Sequence, residues 1–219
     1  MRDQPFGVEI EMTGVTRQQA AEALAGVWNG QCQHTGGSYD AWTVIDPQGK
    51  EWKLMSDGSI RAERWIREKE YDRINDSKYC VEMVTPKLEY AEVPKLQVAT
   101  RALRAIHAKV NDSCGLHVHV DASRHDTQSL KNLMSIMYSK EDLLFDALKV
   151  PEGRVQRWCR PVRENTLQQV RRMSPSASMN RLQQIWYDGR PNIHEHYHDT
   201  RYHALNLHSL FYRDRKSVV

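Results

Sequence analysis

Cys114-Gly115-Leu116-His117-Val118-His119-Val120-Asp121 is the stretch of this chain from which the fold is most directly predicted. Apolar residues alternate with histidines there, and side chains two positions apart on a β-strand point to the same face. The spacing therefore predicts a half-buried strand with the imidazoles of His117 and His119 on one side. Two such imidazoles could bind one metal ion or one phosphate, or they could simply be hydrogen-bonded within a sheet.

Two further segments have the same design. Phe6-Gly7-Val8-Glu9-Ile10-Glu11-Met12 places Glu9 and Glu11 on one face of a strand and apolar residues on the other. A carboxylate pair is costly to bury unless a cation or protons neutralise it, although an edge strand facing solvent would also tolerate it. The apolar run Tyr79–Pro86 carries one acid, Glu82. Three strands that each present candidate ligands together predict a metal site on a sheet.

Helices and a hairpin are predicted around these strands. Thr16-Arg17-Gln18-Gln19 has the form of a capping box and predicts a helix of about three turns. Asp46-Pro47-Gln48-Gly49 separates two β-favourable runs, 42–45 and 51–55, and predicts a hairpin that a turn at Asp57-Gly58-Ser59 follows. Apolar spacing and capping residues predict further helices over 94–110, from Thr127 to about Leu148, near 165–173 and over 178–187.

Some segments are less regular in sequence. Arg61 to Lys78 is densely charged and predicts an exposed loop or a short helix. In the helix that begins near Thr127, the side expected to be apolar consists of Leu130, Leu133, Met134, Met137, Leu144 and Leu148. His194-Glu195-His196-Tyr197-His198 is a second candidate metal site, because an extended segment would align its three histidines. Its polar surroundings favour a solvated loop instead.

Length and composition limit the class of protein. A chain of 219 residues with 27% charged and 40% hydrophobic residues predicts a single globular domain over residues 1–219. The net charge of +3 does not by itself indicate nucleic-acid binding. The four cysteines are scattered and predict neither a zinc ribbon nor a disulfide framework. Without an apolar run of ~20 residues, no membrane segment is predicted, and we expect a cytoplasmic protein. The oligomeric state is not predicted.

A row of arginines follows the long helix. Arg154, Arg157, Arg160 and Arg163 recur every third residue. Guanidinium groups bind phosphate in a bidentate manner, so such a row could gather around a phosphate-bearing ligand. A solvated helix face is the alternative for most of these residues.

Five segments together resemble the amidoligase family, and they occur in the family's order over nearly the whole chain. They are Gly7-Val8-Glu9-Ile10-Glu11, Asp57-Gly58-Ser59-Ile60, Val81-Glu82-Met83-Val84-Thr85-Pro86, Gly115-Leu116-His117-Val118-His119 and Arg201-Tyr202-His203-Ala204-Leu205-Asn206-Leu207. The resemblance implies a place in the carboxylate-amine ligase superfamily, beside glutamine synthetase and glutamate-cysteine ligase. It also implies an α+β, glutamine-synthetase-like catalytic fold, in which a curved, mainly antiparallel sheet is backed by helices.

The function implied by the resemblance is ATP-dependent ligation of a carboxylate to an amine through an acyl phosphate. ATP and Mg²⁺ or Mn²⁺ are the expected cofactors, and carboxylate oxygens are the ligands that Mg²⁺ prefers. The expected partners are a small-molecule or peptide carboxylate and an amine, in peptide or cell-wall modification. Neither nucleic acid nor a membrane is expected.

The resemblance also implies roles for particular residues. Glu9, Glu11, Glu82 and His117 would bind metal, and His119 would hold a phosphate or the nucleotide. Asp57 would orient or deprotonate the amine, and Arg201 and Asn206 would bind substrate or nucleotide. Arg157 and Arg160 are the expected phosphate-binding arginines, because an Arg, Cys and Pro pattern recurs near this position in amidoligases. In the family a strand with a Glu-x-Arg motif follows the segment at Arg201, so we expect this chain, which ends at Ser217-Val218-Val219, to be incomplete, either as a fragment or as a naturally short protein that lacks part of the site. A strand is expected near 204–211.

Two other functions remain open from the sequence. A zinc-dependent hydrolase could use His117, His119 and a glutamate, but it would leave the Glu9 and Glu11 pair unexplained. A non-catalytic nucleotide-binding module is the second alternative. Metal content and nucleotide turnover would distinguish these functions.

Overall fold

The structure, a computed structural model, describes residues 4–68, 70–190, 193–212 and 217–218. The chain forms two compact units, Met1–His119 and Val120–Val219, which we call the first and second units. That residues 1–219 act as one domain remains a prediction. The expected incompleteness of the chain concerns residues outside the described ones.

Strands predominate in the first unit, which also contains two α-helices among its described residues. In chain order its elements are β1 (Phe6–Met12), α1 (Arg17–Trp28), β2 (Cys32–Gly36), β3 (Ala41–Ile45), β4 (Glu51–Met55), β5 (Glu63–Arg67), β6 (Glu70–Arg73), β7 (Val81–Val84), α2 (Val93–Ala105) and β8 (Leu116–Asp121), with 3-10 turns at Ser77–Tyr79 and Tyr90–Glu92. The last two residues of β8, Val120 and Asp121, belong to the second unit. Hydrogen bonding places six of these strands in the order β2-β3-β4-β7-β1-β8, and the pairs from β2 to β1 are antiparallel. The predicted α+β class, with a mainly antiparallel sheet backed by helices, is confirmed.

Strand register gives the sheet two different faces. Met83 lies opposite Ile10 and Leu54, and these side chains pack in the core beside α1 and α2. Glu82 lies opposite Glu11 and Met55 on the other face. Because side chains alternate along a strand, every carboxylate predicted as a ligand projects away from the helices that cover the apolar face.

The ends of α1 and α2 follow from local chemistry. The Thr16 hydroxyl accepts a hydrogen bond from the backbone N–H of Gln19, whose side chain accepts one from Thr16 in return, so the predicted capping box is confirmed. Pro94 lies in the first turn of α2, as predicted. That helix ends at Ala105, before the predicted end, and Val110 is 65% exposed. The left-handed backbone of His107, at φ 72°, excludes further helix.

The charged segment Arg61 to Lys78 is not the predicted loop or short helix. It forms an antiparallel hairpin of β5 and β6, in which Trp65 lies opposite Tyr71. Trp65 stacks on His107 with ring centroids 3.9 Å apart, and the Tyr71 hydroxyl donates to the His107 carbonyl at 3.1 Å. The hairpin is therefore stabilised by contacts with the segment after α2.

The second unit is mainly helical. Its elements are α3 (Thr127–Leu148), α4 (Glu152–Arg157), α5 (Glu164–Arg171), α6 (Met179–Tyr187), a 3-10 turn at Asp199–Arg201, α7 (His208–Tyr212) and β9 (Ser217–Val218), which pairs with the end of β8. Asp126 caps α3, because its side chain accepts a hydrogen bond from the backbone N–H of Ser129. Residues 204–211 do not form the expected strand: the backbone of 204–207 is irregular, and α7 begins at His208.

The core of the second unit forms where α3, α5 and α6 meet. Leu130 and Met134 are fully buried in it, as the helical spacing predicts. Leu144 and Leu148, predicted on the same side, are 44% and 57% exposed. The described part of the chain contains no helix that combines the length and the apolar character needed to cross a membrane.

Candidate active site

Three carboxylates meet on the open face of the first-unit sheet. Glu11 lies on β1, Glu82 on β7, and Asp57 in the turn that follows β4. One oxygen of each lies within 4.8 Å of the others, close enough for one ion to contact all three. We call these three residues the carboxylate cluster. The register of β4, β7 and β1 produces it, because Glu82 is opposite both Met55 and Glu11.

Glu11 is the most buried member of the cluster. It is only 5% exposed, and its Oε2 accepts a hydrogen bond from the backbone N–H of Gly115 at 2.7 Å. Its Oε1 lies 3.6 Å from Nε2 of His117. Like charges directly opposite one another destabilise a sheet, so the pairing of Glu11 with Glu82 costs free energy unless something neutralises it.

The pKa of Glu82 is shifted by this crowding of carboxylates. Burial, followed by the negative charges of Glu9, Asp57 and Glu11, raises the pKa of Glu82 to about 7, while His117 opposes the rise. Near neutral pH the side chain is therefore poised between its protonated and ionised forms. A cation bound among the three oxygens would favour the ionised form.

Asp57 belongs to the predicted turn. Its Oδ1 accepts the backbone N–H of Ser59 at 2.6 Å, and its carbonyl accepts the N–H of Ile60 at 3.4 Å. The turn directs the carboxylate toward Glu11 and Glu82. The amine-orienting role expected for Asp57 remains a prediction, and its place among the metal-binding candidates is a feature that the sequence did not reveal.

His117 and His119 lie on β8, on the same side, as predicted. The apolar side of that strand is not buried, however: Leu116 is 46% and Val118 44% exposed, while both histidines are partly buried. The pKa of His117 is raised by contact with the Glu11 carboxylate, despite the opposing effect of burial. His119 Nε2 lies 3.1 Å from Oε1 of Glu9.

His119 has an unusual ring nitrogen. Nε2 is buried and, although the Glu9 carboxylate lies 3.1 Å away, it makes no hydrogen bond to any of the described residues. A buried polar atom without a partner costs roughly 1–3 kcal/mol, which a bound ligand would relieve. This atom and the carboxylate cluster both suit a site for a cation with an anionic ligand.

The four remaining predicted site residues lie in the second unit. Arg160 donates to the carbonyl and the carboxylate of Asp199 at 2.6 and 2.7 Å. The guanidinium of Arg201 donates to the carbonyl of His196 at 3.1 Å. The side-chain oxygen of Asn206 accepts the N–H of His208 at 2.9 Å, and Arg157 is exposed at the end of α4. Their predicted ligand-binding roles remain untested.

The histidine tract is only partly the solvated loop that the sequence predicts. His194 and His196 are exposed, whereas His198 is 5% exposed and its Nδ1 accepts the backbone N–H of Thr200 at 3.2 Å. The ring of His198 stacks on that of His208 with centroids 5.4 Å apart. Within the described residues, the tract contributes no group of three closely spaced metal-ligating atoms.

Sequence reasoning missed Arg17, which positions two segments around the site. It is 3% exposed and donates to the carbonyls of Asp40, Ser77 and Cys80, in addition to its ion pair with the Asp40 carboxylate. These bonds tie the loop before β3 to the turn before β7, the strand of Glu82. An arginine at the start of a helix carries no sequence feature that indicates such burial.

Comparison with protein families finds one that matches residues 2–215 and is described as "Putative amidoligase enzyme". Searches of curated proteins and of solved structures found no significant match.

Proposed function

Since this chain belongs to the amidoligase family and is thus an enzyme of the ligase type, we propose that it joins a carboxylate to an amine at the expense of ATP. The observation that carries this proposal is the carboxylate cluster, in which three acids converge on one point and the pKa of Glu82 is raised to about 7. A glutamine-synthetase-like catalytic fold is part of the same proposal.

The reaction needs two steps. An amine cannot displace oxide from a carboxylate, because the leaving group is too poor. A substrate carboxylate oxygen would therefore attack the γ-phosphorus of ATP and release ADP, which gives an acyl phosphate. The amine nitrogen would then attack the carbonyl carbon, and inorganic phosphate would leave as the nitrogen loses a proton to a base.

The chain's own residues suit a divalent cation of the Mg²⁺ or Mn²⁺ type. Glu11, Asp57 and Glu82 would hold it, since hard cations prefer carboxylate oxygens. When bound, the cation would neutralise the nucleotide's charge and stabilise the phosphoryl group during transfer. Gly115 would keep Glu11 in place through its N–H, so the geometry of the site would not depend on the ion alone.

The histidines would act beside this cluster. His117, with its raised pKa, would complete the ligand set or donate to an anionic oxygen. His119 would present Nε2 to a phosphate oxygen, beside the Glu9 carboxylate 3.1 Å away. Asp57 has the position to orient the amine or to accept its proton. Arg201, Arg157, Arg160 and Asn206 are proposed to bind substrate or nucleotide.

Mg²⁺-dependent ATP hydrolysis in Glu82→Gln and Glu11→Gln tests this proposal. We expect each variant to lose at least ~100-fold in rate, because one ligand of the required ion is removed. Glu22→Gln, on the exposed face of α1, is the matched control and should retain the full rate. Unchanged hydrolysis in both cluster variants would refute the assignment, and tight stoichiometric zinc in the purified protein would favour a hydrolase.

A further inference from the structure

The face that carries the carboxylate cluster continues across β4, β3 and β2 as an open groove. In the strand register Glu82 is opposite Met55, Lys53 is opposite Thr43, and Thr43 is opposite Gln33. Partners across a sheet share a face, so these side chains lie on the same side as Glu82. With the loop at residues 36–39 as one wall, they enclose a volume of about 550 Å³.

The groove is longer than one amino acid. From Glu51 to Met55 the strand advances four residue steps, or ~14 Å at ~3.4 Å per residue. An extended peptide of about four residues covers the same length. The volume also falls within the ~300–1,000 Å³ typical of ligand sites.

The lining of the groove suits an uncharged peptide better than a phosphate. Thr35 and Thr43 place their hydroxyl oxygens 3.4 Å apart on the floor, where they can exchange hydrogen bonds with amide groups. Lys53 is paired with Glu51 at 3.1 Å, so this pair adds no net charge. Met55 and Ile45 add apolar surface for small side chains.

One end of the groove is strongly acidic. The Tyr39 carbonyl accepts the N–H of Ser56 at 2.9 Å, which fixes the groove's wall beside the end of β4. Asp57 follows directly, and with it come the carboxylates of Glu11 and Glu82. The Asp57 carboxylate, which directly follows the groove, complements a positively charged amine.

We propose that this groove binds an extended, uncharged peptide segment of about four residues, whose amine end reaches Asp57. The proposal rests on the proposed ligase function and identifies the amine substrate as a peptide. It also separates recognition, which the β2–β4 face provides, from chemistry at the carboxylate cluster.

A length series of peptides tests it. The probes are Gly-Ser peptides of one to six residues with a free amine and an amidated C-terminus, titrated into the ¹⁵N-labelled full chain. We expect Kd to fall by ~10-fold in total, or ~1.4 kcal/mol, between one and four residues and then to level off. Amide shifts should concentrate on β2–β4, and N-acetylation of the four-residue peptide should weaken binding.

Neighbouring positions on β2 provide matched variants. Thr35→Arg and Gln33→Arg would fill the groove, and each should raise the Kd of the four-residue peptide by ~10-fold. His34→Arg, on the opposite face, should leave that Kd within ~2-fold of the native value. Melting temperatures identify any variant that fails to fold, and two groove variants keep the comparison informative. Equal effects of all three substitutions, no dependence on length, or binding of a neutral oligosaccharide in place of the peptide would overturn the proposal. ATP hydrolysis measured on the same samples shows separately whether the ligase function holds.

Discussion

Glu11 and Glu82 are direct partners across β1 and β7, although both are acids and Glu11 is almost completely buried. Sheet pairs of like charge are destabilising, and here the Asp57 carboxylate joins them. A fold that retains such an arrangement carries a free-energy cost that a bound cation would remove. This relationship gives the first prediction.

Glu82→Gln should stabilise the metal-free protein at pH 8 and have little effect at pH 4. The pKa of Glu82 is raised to about 7 in the folded state, above its value in the unfolded chain, so ionisation disfavours folding. The stabilising contribution of protonated Glu82 is fully present below the pKa of this group in the unfolded chain, near ~4.3. It is lost as the pH rises through the folded-state pKa of about 7. We expect a gain on the order of 1 kcal/mol at pH 8, measured by denaturant unfolding in EDTA. Equal effects at both pH values would contradict this account.

Arg17→Met should destabilise the first unit by roughly 1–3 kcal/mol. The substitution removes the donor to the buried carbonyl of Cys80 and one of the two donors to the carbonyl of Ser77, which keeps the N–H of Cys80. Arg17→Lys should recover only part of the loss, because one ammonium cannot reach all the acceptors. Urea unfolding measures the effect, and the exposed neighbour Gln18→Met serves as control. A loss below ~1 kcal/mol would mean that the two segments do not depend on Arg17.

The second unit should lose stability as the pH falls from about 6.5 to 4. Burial lowers the pKa of His208 to about 4, and burial does the same for His203. Since the unfolded chain takes up protons first, at a pKa near ~6.5, stability is fully present above that value and declines as the pH falls toward the folded pKa. Unfolding followed at pH 7 and pH 5 checks this.

His208→Gln is the specific test of that pH dependence. The imidazole accepts from the Tyr187 hydroxyl at 2.8 Å and donates to the Glu195 carbonyl at 2.9 Å, and an amide can mimic both bonds without gaining charge. The variant should therefore show a smaller loss of stability between pH 7 and pH 5. If the loss of stability between pH 7 and pH 5 is unchanged, groups other than His208 cause the pH dependence.

His198→Ala should destabilise the protein by roughly 1–3 kcal/mol, because the change opens a buried space and removes the acceptor of the Thr200 N–H. His194→Ala should fall within about 0.5 kcal/mol, as expected for an exposed position. Thermal unfolding of the two single variants compares them directly. Neither variant should change the metal content of the protein. A loss of bound metal in either variant would show that the histidine tract binds metal.

Alternation along single strands was sufficient to predict which faces Glu9, Glu11 and the two histidines occupy. The position of Asp57 beside Glu11 required knowledge that β4 pairs with β7, which no local pattern specifies. The β5–β6 hairpin was missed for a related reason. Its residues are charged and lack apolar alternation, and the stacking of Trp65 on His107 is a tertiary contact. The burial of Arg17 and of His198 likewise depends on residues distant in sequence.

Direct measurement of Mn²⁺ binding is the sharpest test of the carboxylate cluster. Mn²⁺ has the same preference for oxygen ligands as Mg²⁺, and its paramagnetism allows the free ion to be counted by electron paramagnetic resonance. We predict saturable binding to the native chain, strengthened by ATP, and a loss of at least ~10-fold in affinity in both Asp57→Asn and Glu82→Gln but not in Glu22→Gln. Binding of equal strength in all four proteins would show that Glu11, Asp57 and Glu82 do not form the cation site.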